Sequence, residues 1–186
     1  MHKLLEIGVD GFLADTKKIT ESTEYSNKHA ISVIHDIRSV INKFYQGKES
    51  DGACLIIAGD LDSTGKIIKS IGLGANLVGY ETSLLIAKAG YYSEEFFDEA
   101  ITAKKIYNHM MATKSELTGI PAALGYSDIH NMSPSDFRTS SLKASLQGDI
   151  LIEGVNKTYK QIVEEILDNF LKERKILCDG KMRQKI

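Results

Sequence analysis

One stretch of the chain, residues 53–90, alternates apolar segments with glycine-containing turns and constrains the fold more than any other. Its first segment, ACLIIA, has six apolar residues without polar alternation, which is typical of a strand buried on both faces in a parallel sheet. Gly59 ends that strand, and Ser63 offers a hydroxyl to cap a following helix. Leu77 and Val78 begin a second strand. Two strands joined by a helix form a βαβ unit, so the stretch predicts an α/β fold with parallel strands.

The segments around this stretch extend the same pattern. Residues 9–14 (VDGFLA) predict a further strand, and the polar residues 15–27 predict a loop. Apolar residues recur at helical spacing over residues 31–45, which predicts an amphipathic helix before the central strand. Residues 83–88 predict another helix after the second strand.

After Gly90 the chain becomes mainly helical. Residues 93–111 and 115–124 predict two helices, with Pro121 kinking or breaking the second one. Met110 and Met111 are predicted to fill the core. Further predictions are a helix starting at residues 133–136, a short strand at residues 150–152, and a strongly periodic helix from Tyr159 onward.

Length and composition exclude several classes of protein. The 186 residues are fewer than the roughly 250 of a complete (β/α)8 barrel. A net charge of −2 gives no case for nucleic-acid binding, and no apolar run approaches the roughly 18–20 residues that span a membrane. Cys54 is predicted as a buried strand residue, far in sequence from Cys178. This cysteine usage predicts no disulfide framework and a cytoplasmic location.

Two segments carry a resemblance to a known family. Residues 59–90 (GDLDSTGKIIKSIGLGANLVGYETSLLIAKAG) resemble the last two strand–helix units of FMN-binding (β/α)8 barrels, most closely the FMN domain of glutamate synthase. Residues 113–138 (TKSELTGIPAALGYSDIHNMSPSDFR) resemble the helical segment after the barrel in that family. The resemblance implies a divergent, truncated, partial (β/α)8 (TIM-type) barrel with about three parallel strands, followed by a helical C-terminal extension. It divides the chain into a partial barrel, residues 1–92, and a post-barrel helical region, residues 93–147. Residues 148–186, predicted as a short strand, an amphipathic helix and a basic tail, lie outside the resemblance.

The resemblance also implies where FMN would bind. In such barrels two glycine-containing turns after the last strands, together with a helix N-terminus, hold the flavin phosphate. The corresponding turns here begin at Gly59 and at Gly79. The implied cofactor-binding residues are Gly59, Asp60, Ser63, Thr64, Gly65, Gly79, Tyr80, Thr82 and Ser83.

The chain departs from the family pattern in the same turns. Asp60 and Asp62 stand where the family has a glycine and an arginine, and Glu81 stands where it has a glycine. Carboxylates close to a phosphate dianion disfavour its binding. The three acids could instead bind a divalent cation, but a solvated acidic turn is commoner, and we predict no metal centre. Because no cysteine follows Gly90 until Cys178, no iron–sulfur cluster is expected.

The sequence therefore leaves two functions open. The resemblance implies an FMN-binding oxidoreductase domain of the glutamate synthase type, which forms glutamate from 2-oxoglutarate and ammonia or glutamine nitrogen, in an incomplete or degenerate form. The alternative is a non-catalytic structural or interaction subunit derived from that family. No catalytic residue is identified. His130 beside Asp128 could act as a base, whereas the resemblance makes that step a structural helix entry. Three strands cannot close a barrel, so a second chain, self-association or a different small α/β packing is expected.

Overall fold

The structure is a computed structural model that describes residues 2–21, 30–46, 52–59, 61–88 and 98–183. Within these ranges it does not describe the side chains of residues 2, 20, 82 and 173–183. The chain divides into two compact units, Met1–Asp136 and Phe137–Ile186. The predicted division into three segments remains a prediction.

The first unit has an α/β architecture built on a parallel sheet. Its strands lie in the order β1-β2-β3, and the central strand β2 pairs in parallel with both β1 and β3. The predicted α/β class with three parallel strands is thus confirmed, and the described strands form an open sheet. Its elements are α1 (His2–Glu6), β1 (Gly11–Asp15), α2 (Thr16–Glu21), α3 (Ala30–Tyr45), β2 (Cys54–Ala58), α4 (Thr64–Gly72), β3 (Leu77–Val78), α5 (Thr82–Ala87), α6 (Glu99–Ala123), and the 3₁₀ turns Ile129–Asn131 and Pro134–Asp136.

The two faces of this sheet differ sharply in burial. Side chains alternate between faces along a strand, so the register assigns every strand residue to one of two sets. On the covered face, Leu55 and Ile57 are 0% exposed. On the open face, Leu13, Ile56 and Leu77 lie side by side in register, and Leu13 is 69% and Leu77 56% exposed. The described helices therefore bury one face of the sheet and leave the other exposed.

This asymmetry corrects the prediction that the central strand is buried on both faces. The apolar run of β2 alternates between fully buried and partly exposed residues, and Cys54 is partly exposed on the open face. A continuous apolar run indicates that both faces tolerate burial. It cannot indicate whether a second layer of the same chain is there to provide it.

A polar contact ties the helical layer to the sheet. The Asn76 Oδ1 atom accepts a hydrogen bond from the Leu55 amide at 2.9 Å and another from the Arg38 guanidinium. The Nε atom of Arg38 donates to the Gly74 carbonyl oxygen at 2.7 Å, and burial lowers the pKa of Arg38. The link joins α3, β2 and the α4–β3 loop. Helices α3 and α4 also bury apolar side chains in the core: Val33, Ile34 and Ile41 on α3, and Ile67 and Ile68 on α4.

Several local predictions require correction. Residues 16–21, predicted as loop, form α2, because they pack against β1, β2 and α3. The two helices predicted around residue 113 are one helix, α6, with Pro121 in its last turn. Met110 and Met111, predicted as core, are exposed. The helix predicted to start at residues 133–136 is a single 3₁₀ turn.

The second unit has its own small parallel pair of strands. Its elements are β4 (Arg138–Thr139), α7 (Leu142–Gly148), β5 (Leu151–Ile152) and α8 (Tyr159–Arg183), and β4 pairs with β5. The predicted short strand and the predicted helix from Tyr159 are confirmed. The buried Ser145 hydroxyl donates to the Ile150 carbonyl oxygen at 2.6 Å and accepts from the Tyr159 amide at 2.9 Å. These bonds join α7 to the residue before β5 and to the start of α8.

Candidate functional site

The carboxyl end of the sheet brings together the residues after β1 and β2. The Thr16 hydroxyl donates to the Ala58 carbonyl oxygen at 3.0 Å. Gly59 has a φ of +122°, and a Cβ atom there would lie 2.6 Å from Thr16 Oγ1 and 2.9 Å from the Lys17 nitrogen. Only glycine combines this backbone conformation with such close contact. The first predicted turn therefore begins where the sequence placed it, packed against the start of α2.

Ser83 connects the two predicted phosphate turns. It lies in α5, is 1% exposed, and donates from Oγ to the Leu61 carbonyl oxygen at 2.8 Å. Gly79 packs the exit of β3 closely against β2, because a Cβ atom there would lie 3.1 Å from the Ala58 Cβ. The structure thus brings the turns after β2 and β3 together. The same hydrogen bond directs the Ser83 hydroxyl toward protein.

The remaining residues of the first turn are placed less favourably for a phosphate. Ser63 occupies the N-cap position of α4 but makes no side-chain capping bond. The predicted capping bond is therefore wrong, although the helix start is correct. Thr64 is 9% exposed, and a Cβ atom at Gly65 would meet open space. Asp60 and the side chain of Thr82 lie outside what the structure describes.

The acidic residues of the turns differ in their partners. Asp62 pairs with Lys66 Nζ at 2.9 Å, one helical turn further along, and the hydrogen bond from Lys66 is the main cause that lowers the Asp62 pKa. Glu81 is exposed at the N-cap of α5. The local carboxylate charge that opposes a phosphate is therefore partly offset at Asp62.

Tyr80 belongs to a polar network with α6. Its hydroxyl lies 2.6 Å from His109 Nε2 and 2.6 Å from Thr113 Oγ1, and its ring stacks on the His109 imidazole with centroids 5.6 Å apart. His109 and Thr113 are four residues apart, so they share one face of the helix. The sequence reasoning missed both residues. Their i, i+4 spacing indicated that the two side chains share a helix face, but nothing in the sequence indicated that this face contacts Tyr80.

A mainly apolar cavity of about 460 Å³ lies next to this network, between α4, β3, α6 and the Ile129–Asn131 turn. Tyr80 and Thr113 contribute polar groups to it, and Lys114 and Asp128 also line it. A concave apolar site with a few polar groups is the usual form of a small-molecule pocket. Its apolar lining consists of Ile67, Val78, Met110, Leu117, Pro121 and Ile129.

Flavin phosphate fits the described turn residues poorly. A phosphate nest needs hydroxyl or amide donors that face the ligand, yet the Ser83 hydroxyl is directed to the Leu61 carbonyl oxygen. Among the residues that the structure describes, no group of three or more His, Cys, Asp or Glu side chains could hold a metal ion. The cation hypothesis for the acidic turn includes Asp60 and so lies partly outside those residues.

None of the helices within the described ranges is both long and apolar enough to cross a lipid bilayer. Comparison with known proteins gives no relative from which to transfer a function. No protein-family model, no curated protein and no solved structure matches this chain. The candidate site rests on its own geometry, which consists of two adjacent turns closed by Ser83, the Tyr80 network and the neighbouring cavity.

Proposed function

We propose that this chain is a strand–helix section of a glutamate synthase-type FMN barrel that acts as a non-catalytic interaction subunit. The observation that carries the proposal is the open face, where Leu13, Ile56 and Leu77 form an apolar row in which Leu13 and Leu77 are exposed and Ile56 is partly exposed. In a (β/α)8 barrel one face of the sheet meets the helices and the other lines the interior. A section of such a barrel would have this same asymmetry.

The strand order is compatible with the same proposal. Each strand pairs with the next one along the chain, in the order β1-β2-β3. A section of a barrel has this sequential order, and so does one half of a doubly wound sheet, which differs only where the order reverses at its switch point. The outer edges of β1 and β3 are the places where further strands would join.

The size of the open face favours a partner that supplies strands. Two strands of five residues and one of two, at about 3.3 Å per residue and about 4.8 Å between strands, cover roughly 190 Å². A stable interface needs about 800 Å² per partner, so a second copy laid face to face would be held weakly. Strands that continue the sheet would also satisfy the edge amides and carbonyls. We therefore propose that the partner is a polypeptide segment outside residues 1–186 that contributes parallel strands. We also propose that the assembly lies in the cytoplasm.

The second candidate function is the FMN-dependent oxidoreductase itself. The observation that favours it is the Ser83–Leu61 hydrogen bond, which holds the two glycine-containing turns together at the carboxyl end of the sheet. Two features argue against flavin binding: the buried Ser83 hydroxyl is bound to the Leu61 carbonyl oxygen, and the turns contain acidic residues. The described residues of the two turns therefore do not form a phosphate nest.

Titration with FMN and with riboflavin tests the choice between these functions. The two ligands share the flavin ring and differ by the phosphate, so their affinity ratio isolates phosphate recognition. We expect equal and weak quenching of flavin fluorescence for both ligands. Micromolar or tighter FMN binding that riboflavin does not match would overturn the non-catalytic proposal in favour of the oxidoreductase.

The mass of the purified chain tests the choice of partner. We expect a monomer by light scattering, with binding of an apolar fluorescent dye that falls in a Leu13→Ser variant. A stable dimer that Leu13→Ser dissociates would replace the strand-supplying partner with a second copy. Dye binding that Leu13→Ser leaves unchanged would contradict the role of the open face.

A further inference from the structure

The turn Ile129–Asn131 carries a histidine with an acceptor at each ring nitrogen. The Nδ1 atom of His130 lies 3.0 Å from Asp128 Oδ1, and its Nε2 atom lies 3.1 Å from the Asn76 carbonyl oxygen. The His130 amide also donates to Asp128 Oδ1 at 2.8 Å. The imidazole thus bridges this turn and the loop before β3.

This geometry selects the charged form of the ring. A carboxylate oxygen and a peptide carbonyl oxygen only accept hydrogen bonds, and a neutral imidazole has one N–H group. Neutral His130 could therefore make one of the two bonds, with a lone pair facing an oxygen at the other. The imidazolium donates at both nitrogens and satisfies both contacts.

The acceptor at Asn76 is held in place by other contacts. Its side-chain oxygen accepts from the Leu55 amide and from Arg38, which also donates to the Gly74 carbonyl oxygen. Among the described residues, the charged groups around the imidazole are Asp128 on its own turn and Arg38 on α3, while Lys114 on α6 lines the cavity together with Asp128. Ser127, Asp128 and Ile129 form one wall of that cavity.

We infer that His130 is a proton-dependent latch that fixes this wall of the cavity against the loop before β3. When the imidazole is charged, two hydrogen bonds from one ring hold the turn at Asp128 and Asn76. Loss of the proton removes one of them, and the Ser127–Ile129 wall loosens. The inference depends neither on a flavin nor on a partner.

The direction of the pH dependence follows from both partners. The hydrogen bond to Asp128 and then the one to the Asn76 carbonyl raise the pKa of His130 above its ordinary value of 6.5. The contribution of His130 is therefore complete below that value and is lost as the pH rises through the raised pKa. The His130 amide and then its ring lower the pKa of Asp128. The contribution of Asp128 is lost only in acid, as the pH falls through that lowered pKa.

Nuclear magnetic resonance of ¹⁵N-labelled protein tests the protonation state directly. We expect both ring nitrogens of His130 to carry a proton at about pH 6, with a titration midpoint above the value of an ordinary histidine. A His130→Asn variant assigns the signal. A single protonated nitrogen at about pH 6, or a midpoint at or below the ordinary value, would overturn the latch.

Amide hydrogen exchange tests whether the proton holds the wall. Protection at His130, Asn131 and Met132, corrected for intrinsic exchange, should fall about two- to fivefold as the pH rises through the midpoint, since the pair is half exposed. Asp128→Ala, which removes the acceptor at Nδ1, should abolish this step. Asp36→Ala, which changes a different His–Asp pair on α3, is the matched control and should keep it. A step that persists in Asp128→Ala would contradict the inference.

Discussion

The covered and open faces of the sheet are built from the same short strands, yet they differ in the exposed fraction of their side chains. Leu55 and Ile57 are completely buried, whereas Leu13 and Leu77, equally apolar, are mostly exposed. The difference does not lie in side-chain chemistry but in whether a helical layer is present. Buried apolar area stabilises the fold at about 25 cal/mol per Å². The covered face therefore contributes to stability, whereas the open face leaves apolar side chains in contact with solvent.

The largest effect should come from the covered face. Ile57→Ala removes a fully buried side chain and leaves a cavity, which should lower the free energy of unfolding by about 2–5 kcal/mol in urea denaturation. Ile56→Ala makes the same chemical change one residue away on the open face, and we expect it to cost less than half as much. Equal losses for the two variants would show that the open face is covered in solution.

The next effect concerns the turn at the end of β2. Gly59→Ala places a Cβ atom within 3 Å of Thr16 and Lys17 at a positive φ, and we expect it to cost about 1–3 kcal/mol in the same measurement. Gly65→Ala is the matched control, because its Cβ would meet open space in the first turn of α4. The control should be neutral or stabilising by up to about 1 kcal/mol. A neutral Gly59→Ala would mean that the two strand exits are not packed together.

A smaller effect is expected at the link between the two turns. Ser83→Ala leaves the buried Leu61 carbonyl oxygen without this donor and should cost about 1–2 kcal/mol on thermal or urea unfolding. Ser63→Ala removes a hydroxyl that caps no helix, and its change should stay within about 0.5 kcal/mol. If the two serine variants behave alike, the Ser83 hydrogen bond does not hold the turns together.

The smallest effect on stability belongs to the open face. Leu13→Ser should change the free energy of unfolding by no more than about 0.5 kcal/mol, because the side chain is mostly exposed. The same substitution at Ile57 should unfold a large share of the molecules at modest urea concentration. A strongly destabilised Leu13→Ser variant would show that the open face is buried like the covered face, contrary to the structure.

The candidate site was predictable to the extent that it follows the chain locally. Gly59 and Gly79 end strands where the sequence indicated, and the turns after them lie together because parallel strands end at one edge of the sheet. The hydrogen bonds were not predictable. Ser63 and Ser83 are equally suitable phosphate donors by residue type, but Ser83 is buried and donates to the Leu61 carbonyl oxygen, whereas Ser63 lies at the N-cap of α4 without a capping bond. His109 became relevant only when α6 placed it 2.6 Å from the Tyr80 hydroxyl.

The sequence by itself determined the elements whose signals are local. Apolar runs and helical periodicity fixed β2, α3, α4 and α8, since propensity and patterning act within one element. Tertiary structure alone decided that residues 16–21 form a helix, that the apolar run of β2 is buried on one face, and that His130 has an acceptor at each ring nitrogen. The physical reason is that these features depend on partners distant in sequence. A residue type states what it can bind, and only packing determines which group it meets.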